Sequence, residues 1–230
     1  MSQKHESEVE VNDVLVKAET TWKKLQKPVL SIIAAVVIIG GGWVAYQEFV
    51  MKPKEEKAAE ALYKAEQYFA ADSSRLVLNG DGQSKGVLNV ISNFGGTKAA
   101  NLAHYYAGIS YLKLGEFENA VKHLKDFSTD AKQIQLLAYG CLGDAYSELK
   151  KNDEAIAAYK KAAATFEKDE NNSSEYLFRA ALLLETTGKT KEALELYKEI
   201  KAKYPKTDKG FQADKYIYRL NIEKNDLTAQ

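Results

Sequence analysis

The hydrophobic pattern divides the chain into two unlike parts. Residues 28–47, PVLSIIAAVVIIGGGWVAYQ, contain no charged side chain, whereas apolar and charged residues alternate at short intervals through the rest of the chain. At a rise of about 1.5 Å per residue, a helix of this length covers about 30 Å, the hydrocarbon thickness of a bilayer. The pattern predicts a transmembrane helix over residues 28–50.

The alternative interpretation of this segment is a cleaved signal peptide. The apolar run is long for one, begins late in the chain, and is not followed by an A-x-A cleavage site. Trp22 lies before the run and Trp43, Tyr46 and Phe49 lie at its far end, where aromatic side chains anchor helices at membrane interfaces. We therefore expect an uncleaved signal anchor.

The flanking lysines bear on orientation. Within 20 residues, each side of the anchor carries four of them: Lys17, Lys23, Lys24 and Lys27 before it, and Lys52, Lys54, Lys57 and Lys64 after it. The nearest cluster, KKLQK, is on the N-terminal side, and long domains translocate largely regardless of charge. We predict a cytoplasmic N-terminus and a large domain on the other side of the membrane.

Small residues occupy the second half of the anchor. Gly40, Gly41, Gly42 and Ala45 would let another membrane helix approach closely. Glycine is also common in membrane helices without such a role, so both interpretations stay open.

The N-terminal tail, residues 1–27, contains apolar residues at spacings of three and four. On a helix they would form one stripe, typical of an interfacial helix or a docking helix for a partner. Its members are Val11, Val14, Leu15, Ala18, Trp22 and Leu25. Because His5 to Glu10 is polar and acidic, a frayed tail is the alternative. We predict a cytoplasmic amphipathic tail.

A pattern recurs about every 35 residues through residues 101–207, in copies that begin at Asn101, Leu136 and Ser174. Small residues recur at position 8 (Gly108, Gly143, Ala181) and position 20 (Ala120, Ala155, Ala193), and large residues recur at positions 4, 7, 11 and 24. Position 15 is glycine in the first and third copies and Lys150 in the second.

This pattern resembles the tetratricopeptide repeat, whose unit is a pair of antiparallel helices. The resemblance implies an all-α solenoid in which small residues let the two helices approach. Glu55–Val77 predicts a long helix, Leu78–Gly86 a loop, and Val87–Asn93 a short helix, so residues 51–100 form a linker helix and a degenerate first repeat. Residues 208–230 predict a C-terminal capping helix and tail, giving about four helical hairpins plus a cap behind the transmembrane helix.

Composition and motifs mainly exclude classes of partner and of chemistry. The chain has 32 basic and 32 acidic residues, so no basic excess indicates nucleic acid as a partner. The single cysteine, Cys141, cannot form an internal disulfide. His104 falls at a packing position, and His123 is expected to be exposed. NGDGQSKG and FGGTK lack the spacing of calcium and phosphate loops. We predict no enzymatic activity, no cofactor, no metal and no small-molecule substrate.

In the resembled repeats, positions 2, 5, 9 and 12 of each first helix face a concave groove. Carried onto this chain, they are Leu102, Tyr105, Ile109, Leu112, Leu137, Gly140, Asp144, Ser147, Glu175, Phe178, Leu182 and Glu185. Repeats that bind chaperone C-termini have Lys and Asn at positions 5 and 9, where this chain has Tyr105 and Ile109. The groove is expected to bind apolar protein segments instead, unless the N-terminal helices cover part of it.

The whole layout resembles the ancillary subunits of the bacterial Sec translocon, which are single-pass inner-membrane proteins with periplasmic repeats. The resemblance implies translocon subunits, periplasmic chaperones or exported clients as partners. A scaffold for another envelope assembly, in secretion or outer-membrane biogenesis, is compatible with the same features. So is an import receptor of mitochondrial type, with its repeats in the cytosol.

Overall fold

A computed structural model describes residues 2–223, with side chains for Val16 and for residues 21–222. It divides the chain into two units, Met1–Lys54 and Glu55–Gln230. The first unit contains helix α1, Ser2–Tyr46, and a π-helical turn, Gln47–Met51. Most of the predicted tail stripe (Val11, Val14, Leu15 and Ala18) and the predicted C-terminal tail after Glu223 lie outside the described residues.

The apolar part of α1 has no protein partner in this unit. Among the described residues, one helix is long and apolar enough to cross a membrane, and none of its apolar window is buried. Ile38 and Ile39 expose 73% and 72% of their side chains. Such exposure separates this segment from a soluble core helix, which buries at least one apolar face.

The second unit is a stack of helices. After helix α2, Lys52–Ala70, come α3 (Ser74–Asn79), α4 (Val87–Asn93), α5 (Lys98–Lys113), α6 (Phe117–Asp126), α7 (Lys132–Glu148), α8 (Asn152–Thr165), α9 (Glu170–Thr186), α10 (Thr190–Lys203) and α11 (Asp208–Glu223). Helices α5/α6, α7/α8 and α9/α10 are the hairpins that the three sequence copies predict. The all-α solenoid fold is thereby confirmed.

Position 8 of the repeat brings the two helices of a hairpin together. A Cβ atom added to Gly108 would lie 2.5 Å from Cγ of Leu124, and one added to Gly143 would lie 2.5 Å from a ring carbon of Tyr159. Both partners sit at position 24. The third hairpin has alanine there, and Ala181 is fully buried. Small residues are required because the second helix occupies the space of a side chain.

The prediction of one continuous helix over Glu55–Val77 is wrong after Ala70, where the chain breaks before α3 begins at Ser74. Helix α2 ends at Ala70 because Asp72 adopts a left-handed φ of 54°. The amide of Ser73 then donates to the carbonyl of Tyr68 at 2.9 Å, a Schellman-type ending. The predicted loop is also shorter, since α3 continues through Leu78 to Asn79.

The first turn of α2 is anchored to the start of α5. The carboxylate of Glu55 accepts hydrogen bonds from the amides of Lys98 (2.7 Å) and Ala99 (2.9 Å), while Thr97 Oγ1 accepts one from Ala100 at 3.0 Å. These groups satisfy amides that have no partner inside the first turn of α5. A negative charge at this end also complements the helix dipole.

The first helix of every hairpin ends in the same way. Position 15 has a left-handed φ in each: 76° at Gly115, 58° at Lys150 and 78° at Gly188. The next residue donates its amide to the carbonyl at position 11, at 2.8–2.9 Å in all three hairpins. The second copy therefore keeps the turn although it lacks the glycine that favours this conformation.

Lys150→Gly is expected to stabilise the fold. A non-glycine residue in the left-handed region costs about 1 kcal/mol, and the substitution removes that cost. Urea or thermal unfolding followed by circular dichroism measures the gain. Lys150→Ala is the matched control, because alanine removes the same side chain but keeps the Cβ atom that disfavours a left-handed φ. Equal effects of the two substitutions would contradict the assignment.

Candidate protein-binding groove

The predicted groove begins with a row of apolar residues on α5. Leu102, Tyr105, Ile109 and Leu112 recur at spacings of three and four, and all four are half-buried. Leu102 also packs against the clusters on both sides of α5, so it belongs partly to the core. The expectation that the N-terminal helices cover part of the groove stays a prediction.

Tyr105 is held by aromatic neighbours. Its ring centroid lies 5.1 Å from Phe127 and 5.8 Å from Tyr106. Burial raises the pKa of Tyr105 to about 12. The hydroxyl is therefore neutral at physiological pH, and the side chain presents an amphipathic surface without a charge.

The second repeat contributes a smaller part of the groove. Leu137 and Ser147 are half-buried, and Leu137 packs against the largest core cluster. Gly140, at position 5, is fully covered: a Cβ there would lie 2.0 Å from the ring of Tyr176 on α9. The groove is thus closed at position 5 of this repeat by the first helix of the next one.

The prediction that Phe178 faces the groove is wrong. Phe178 is only 3% exposed. Its ring lies 5.5 Å from Tyr197 and 5.0 Å from Tyr216, with the Lys209 ammonium 4.7 Å from its centroid. Helix α11 supplies two of these neighbours, so the capping helix covers the position that an open repeat would expose.

Acidic residues of the predicted groove have basic partners. Asp144 accepts hydrogen bonds from Tyr159 (2.8 Å) and from Arg179 of the next repeat (2.7 Å). Arg179 also donates to Glu175 at 2.8 Å. Partial burial alone would raise the pKa of Glu175, but Arg179 and Lys209 outweigh it and lower that pKa. This end of the surface is a network of charges rather than an apolar groove.

The same arrangement recurs one repeat later. Glu185 accepts hydrogen bonds from Arg219 on α11 at 2.6 and 2.8 Å and from Tyr197 at 3.2 Å. Leu182 is half-buried and packs against the core. Arg179 and Arg219 were not predicted as part of this surface. Repeat positions identify the side chains that face the groove but not the side chains that lie beside them. The spacing of four between Glu175 and Arg179 was the available signal.

Comparison with known proteins agrees with this geometry. A family model for the tetratricopeptide repeat matches residues 135–206, and another for the same repeat matches residues 102–131. The chain contains tetratricopeptide repeats. The matched residues are those of hairpins α5/α6, α7/α8 and α9/α10, so the repeats identified in the sequence are confirmed. Such repeats are generally protein-interaction scaffolds rather than catalysts.

Solved structures with a similar fold come from Podosopora anserina. They are crystal structures of nearly identical TPR-like repeats, from a protein described as a kinesin light chain, and of a point variant of it. Each has a TM-score of 0.52 and covers 74% of this chain and 88% of the solved one, at 14% identity for the parent and 13% for the variant. At these identities the similarity concerns the fold. No curated protein matches the chain at a significant level.

Two histidines meet inside the first complete tetratricopeptide repeat. His104 Nδ1 on α5 lies 3.1 Å from His123 Nδ1 on α6, and His123 stacks on Tyr111 at 5.4 Å. The expectation that His123 is exposed is wrong, since it is only 8% exposed. At this separation one ring donates and the other accepts, so the hydrogen bond requires that the pair not be doubly protonated.

Cys141 shows no sign of activation. Burial raises the pKa of its thiol to about 11, which disfavours the reactive thiolate. In the described part of the chain, no group of three or more His, Cys, Asp or Glu side chains is placed to hold a metal ion. Asp81, in the loop that resembles half of a calcium site, instead accepts hydrogen bonds from Gln83, Ser84 and Tyr68.

Among the described residues, nothing packs against the glycine run of α1. A Cβ atom added to Gly40, Gly41 or Gly42 would meet nothing within 4 Å. Ala45 is exposed as well. A helix-docking role for these residues therefore stays a prediction, because any partner would come from another molecule.

Acid is expected to destabilise the first tetratricopeptide repeat. Burial, with contributions from His104 and Lys122, lowers the pKa of His123 to about 4, and burial also lowers the pKa of His104. Because both pKa values lie below the unfolded value near 6.5, stability is complete above that pH and decreases as the pH falls from there toward 4. The loss from His123 is about 2 kcal/mol between pH 7.5 and pH 5.

The measurement is urea unfolding at several pH values. The double variant His104→Leu, His123→Leu is expected to lose this part of the pH dependence, whatever its absolute stability. His5→Gln, which removes the third histidine, is the control and should behave like the unmodified chain. An unchanged slope in the double variant would show that the pair does not cause the effect.

Proposed function

We propose that this chain is a membrane-anchored protein-binding scaffold and that its tetratricopeptide repeats bind an apolar segment of another protein along α5. The observation that carries the proposal is the row formed by Leu102, Tyr105, Ile109 and Leu112. Positions 5 and 9 of this row lack the Lys and Asn that would hold a carboxylate. A row of apolar side chains at helical spacing suits an amphipathic helix or an extended segment.

Charge supports this choice of site. The carboxylates on α7 and α9 are already paired with Arg179 and Arg219. A partner that docked there would have to replace internal hydrogen bonds, which costs free energy without a new apolar contact. Docking along α5 displaces water from half-buried apolar side chains and leaves the charge network intact.

The anchor is the uncharged segment of α1. We propose that residues 28–50 span a membrane with the N-terminus in the cytoplasm and the repeats in the periplasm of a bacterium. No residue in the apolar window is buried, which supports a lipid environment, since water would solvate so large an apolar surface poorly. The KKLQK cluster before it supports the orientation.

Within this class, we propose an ancillary factor of the Sec translocon that assists exported proteins. The support is the layout: a short tail, one membrane segment, then a repeat array. A scaffold of another envelope assembly shares that layout and is the second candidate. An import receptor of mitochondrial type is the third, and the absence of Lys and Asn at positions 5 and 9 of the first complete repeat weighs against it.

The anchor is expected to resist carbonate extraction when the full chain is expressed in a bacterial host. Protease added to spheroplasts should digest the repeats, and protease added to intact cells should not. The double variant Val36→Lys, Ile39→Lys should be extracted, because a charge at the bilayer centre costs about 3 kcal/mol. Tyr63→Lys, at an exposed position on α2, is the matched control. Repeats protected in spheroplasts would place them in the cytoplasm instead.

A photo-crosslinker at Ile109 is expected to capture partner proteins in cells. The same probe at Lys122, which is exposed on α6, is the positional control. Adding Leu112→Glu should reduce the adducts about tenfold, because an apolar contact is replaced by a charge that the complex desolvates. Ser128→Glu, outside the row, should leave them unchanged.

The identity of the adducts separates the candidates. Translocon subunits, periplasmic chaperones or exported proteins would support the Sec role. Components of a different envelope assembly would replace it with the second candidate. Equal capture from Ile109 and Lys122, with no effect of Leu112→Glu, would contradict binding along α5.

A further inference from the structure

The outer face of α11 is unusually apolar for the end of a repeat array. Phe211, Tyr218 and Ile222 expose 70%, 69% and 45% of their side chains. The opposite face of the same helix is well packed, since Ala213 and Leu220 are buried. Terminal elements of solenoids normally present a polar outer surface, and apolar patches on such surfaces mark interaction sites.

The exposed residues form a seam of the coiled-coil type. Phe211, Lys215, Tyr218 and Ile222 follow one another at spacings of four, three and four, which places them in one line along the helix. Lys215, also exposed, is the single charge in this line. One charged residue in an otherwise apolar seam fixes the orientation and register of the partner helix.

We propose that this seam binds α11 of a second copy of the chain in antiparallel orientation. A two-fold axis between residues 216 and 217 would place Phe211 against Ile222 of the second copy and Lys215 against Tyr218 of the second copy. The surface is then complementary to itself, as a symmetric dimer interface requires. The proposal concerns a different face from the groove on α5 and does not depend on the function proposed for it.

Charge decides between the two possible orientations. In a parallel pair, Lys215 would face Lys215 of the second copy, and the two ammonium groups would repel each other. In the antiparallel pair, each lysine lies over a tyrosine ring, where a cation–π contact is favourable. The same arrangement brings Asp214 near Arg219 of the second copy, in addition to the partners that each has within its own chain, Lys201 and Glu185, so opposite charges flank the seam.

The available area indicates a weak dimer. With aromatic side chains of about 150–250 Å², the three exposed residues offer on the order of 350 Å² per copy. Stable complexes bury about 800 Å² per partner. Association is therefore expected at high micromolar concentration of the free chain, and holding the copies on one membrane would favour it further.

Cysteine crosslinking of the purified full chain tests the proposal. All variants carry Cys141→Ala, are kept in detergent at high micromolar concentration and are mildly oxidised. In the proposed dimer, the two copies of Lys215→Cys are separated by about 4.5 Å along the helix axis, at 1.5 Å per residue. The two copies of Phe211→Cys are separated by about 16 Å along the same axis. We expect about tenfold more disulfide dimer from Lys215→Cys than from the exposed off-seam control Gln212→Cys.

Further pairings fix the orientation. Phe211→Cys alone should resemble the control, whereas a mixture of Phe211→Cys and Ile222→Cys chains should crosslink. Tyr218→Asp should abolish the Lys215→Cys dimer while leaving the circular dichroism spectrum and thermal midpoint unchanged. Equal yields of disulfide dimer at all positions would show that the crosslinks form by random collision, which would overturn the proposal. Strong Phe211→Cys dimers without crosslinking in the mixture would overturn the antiparallel arrangement.

Discussion

The repeat array depends on the close approach of two helices within each hairpin. At Gly108 and Gly143 a single added carbon would lie 2.5 Å from the facing side chain. Leu124 and Tyr159 can pack against bare backbone only because position 8 has no side chain. The way each first helix ends also brings the two helices together. The left-handed residue at position 15 reverses the chain direction within two residues, so the second helix returns along the first. The regular stack follows from repeating this unit.

Polar contacts then connect one repeat to the next and divide the groove between two roles. Asp144 and Glu185 each accept a hydrogen bond from a tyrosine of their own repeat. Each also accepts one from an arginine of the first helix after that repeat, which is α9 for Asp144 and α11 for Glu185. These partly buried, hydrogen-bonded pairs are stronger than exposed ion pairs, and they occupy the surface that the second and third repeats would otherwise offer. We propose the apolar row on α5 as the surface for a partner.

Three apolar surfaces in the described part of the chain carry the proposals: the uncharged segment of α1, the half-buried row on α5 and the outer face of α11. Each differs in form. The uncharged segment of α1 is apolar all round, which suits lipid. The row on α5 is partly covered, which suits a protein segment. Helix α11 has a narrow apolar seam with one lysine, which suits a second helix. A scaffold that combines these surfaces would hold partners beside a membrane and assemble with its own kind.

Local patterns in the sequence were sufficient for the hairpins, the left-handed turns at Gly115 and Gly188, and the uncharged apolar part of α1. Each of these depends on residues close together in the chain, so spacing alone reveals it. The tertiary structure decided which neighbour covers each face. Phe178 and His123 were expected at the surface and are buried, because α11 and α5 pack over them. Asp72 ends a helix that its apolar periodicity would continue, and Asp144 is paired with an arginine 35 residues away. Periodicity shows which side of a helix is apolar, but burial depends on contacts between helices that are distant in the chain.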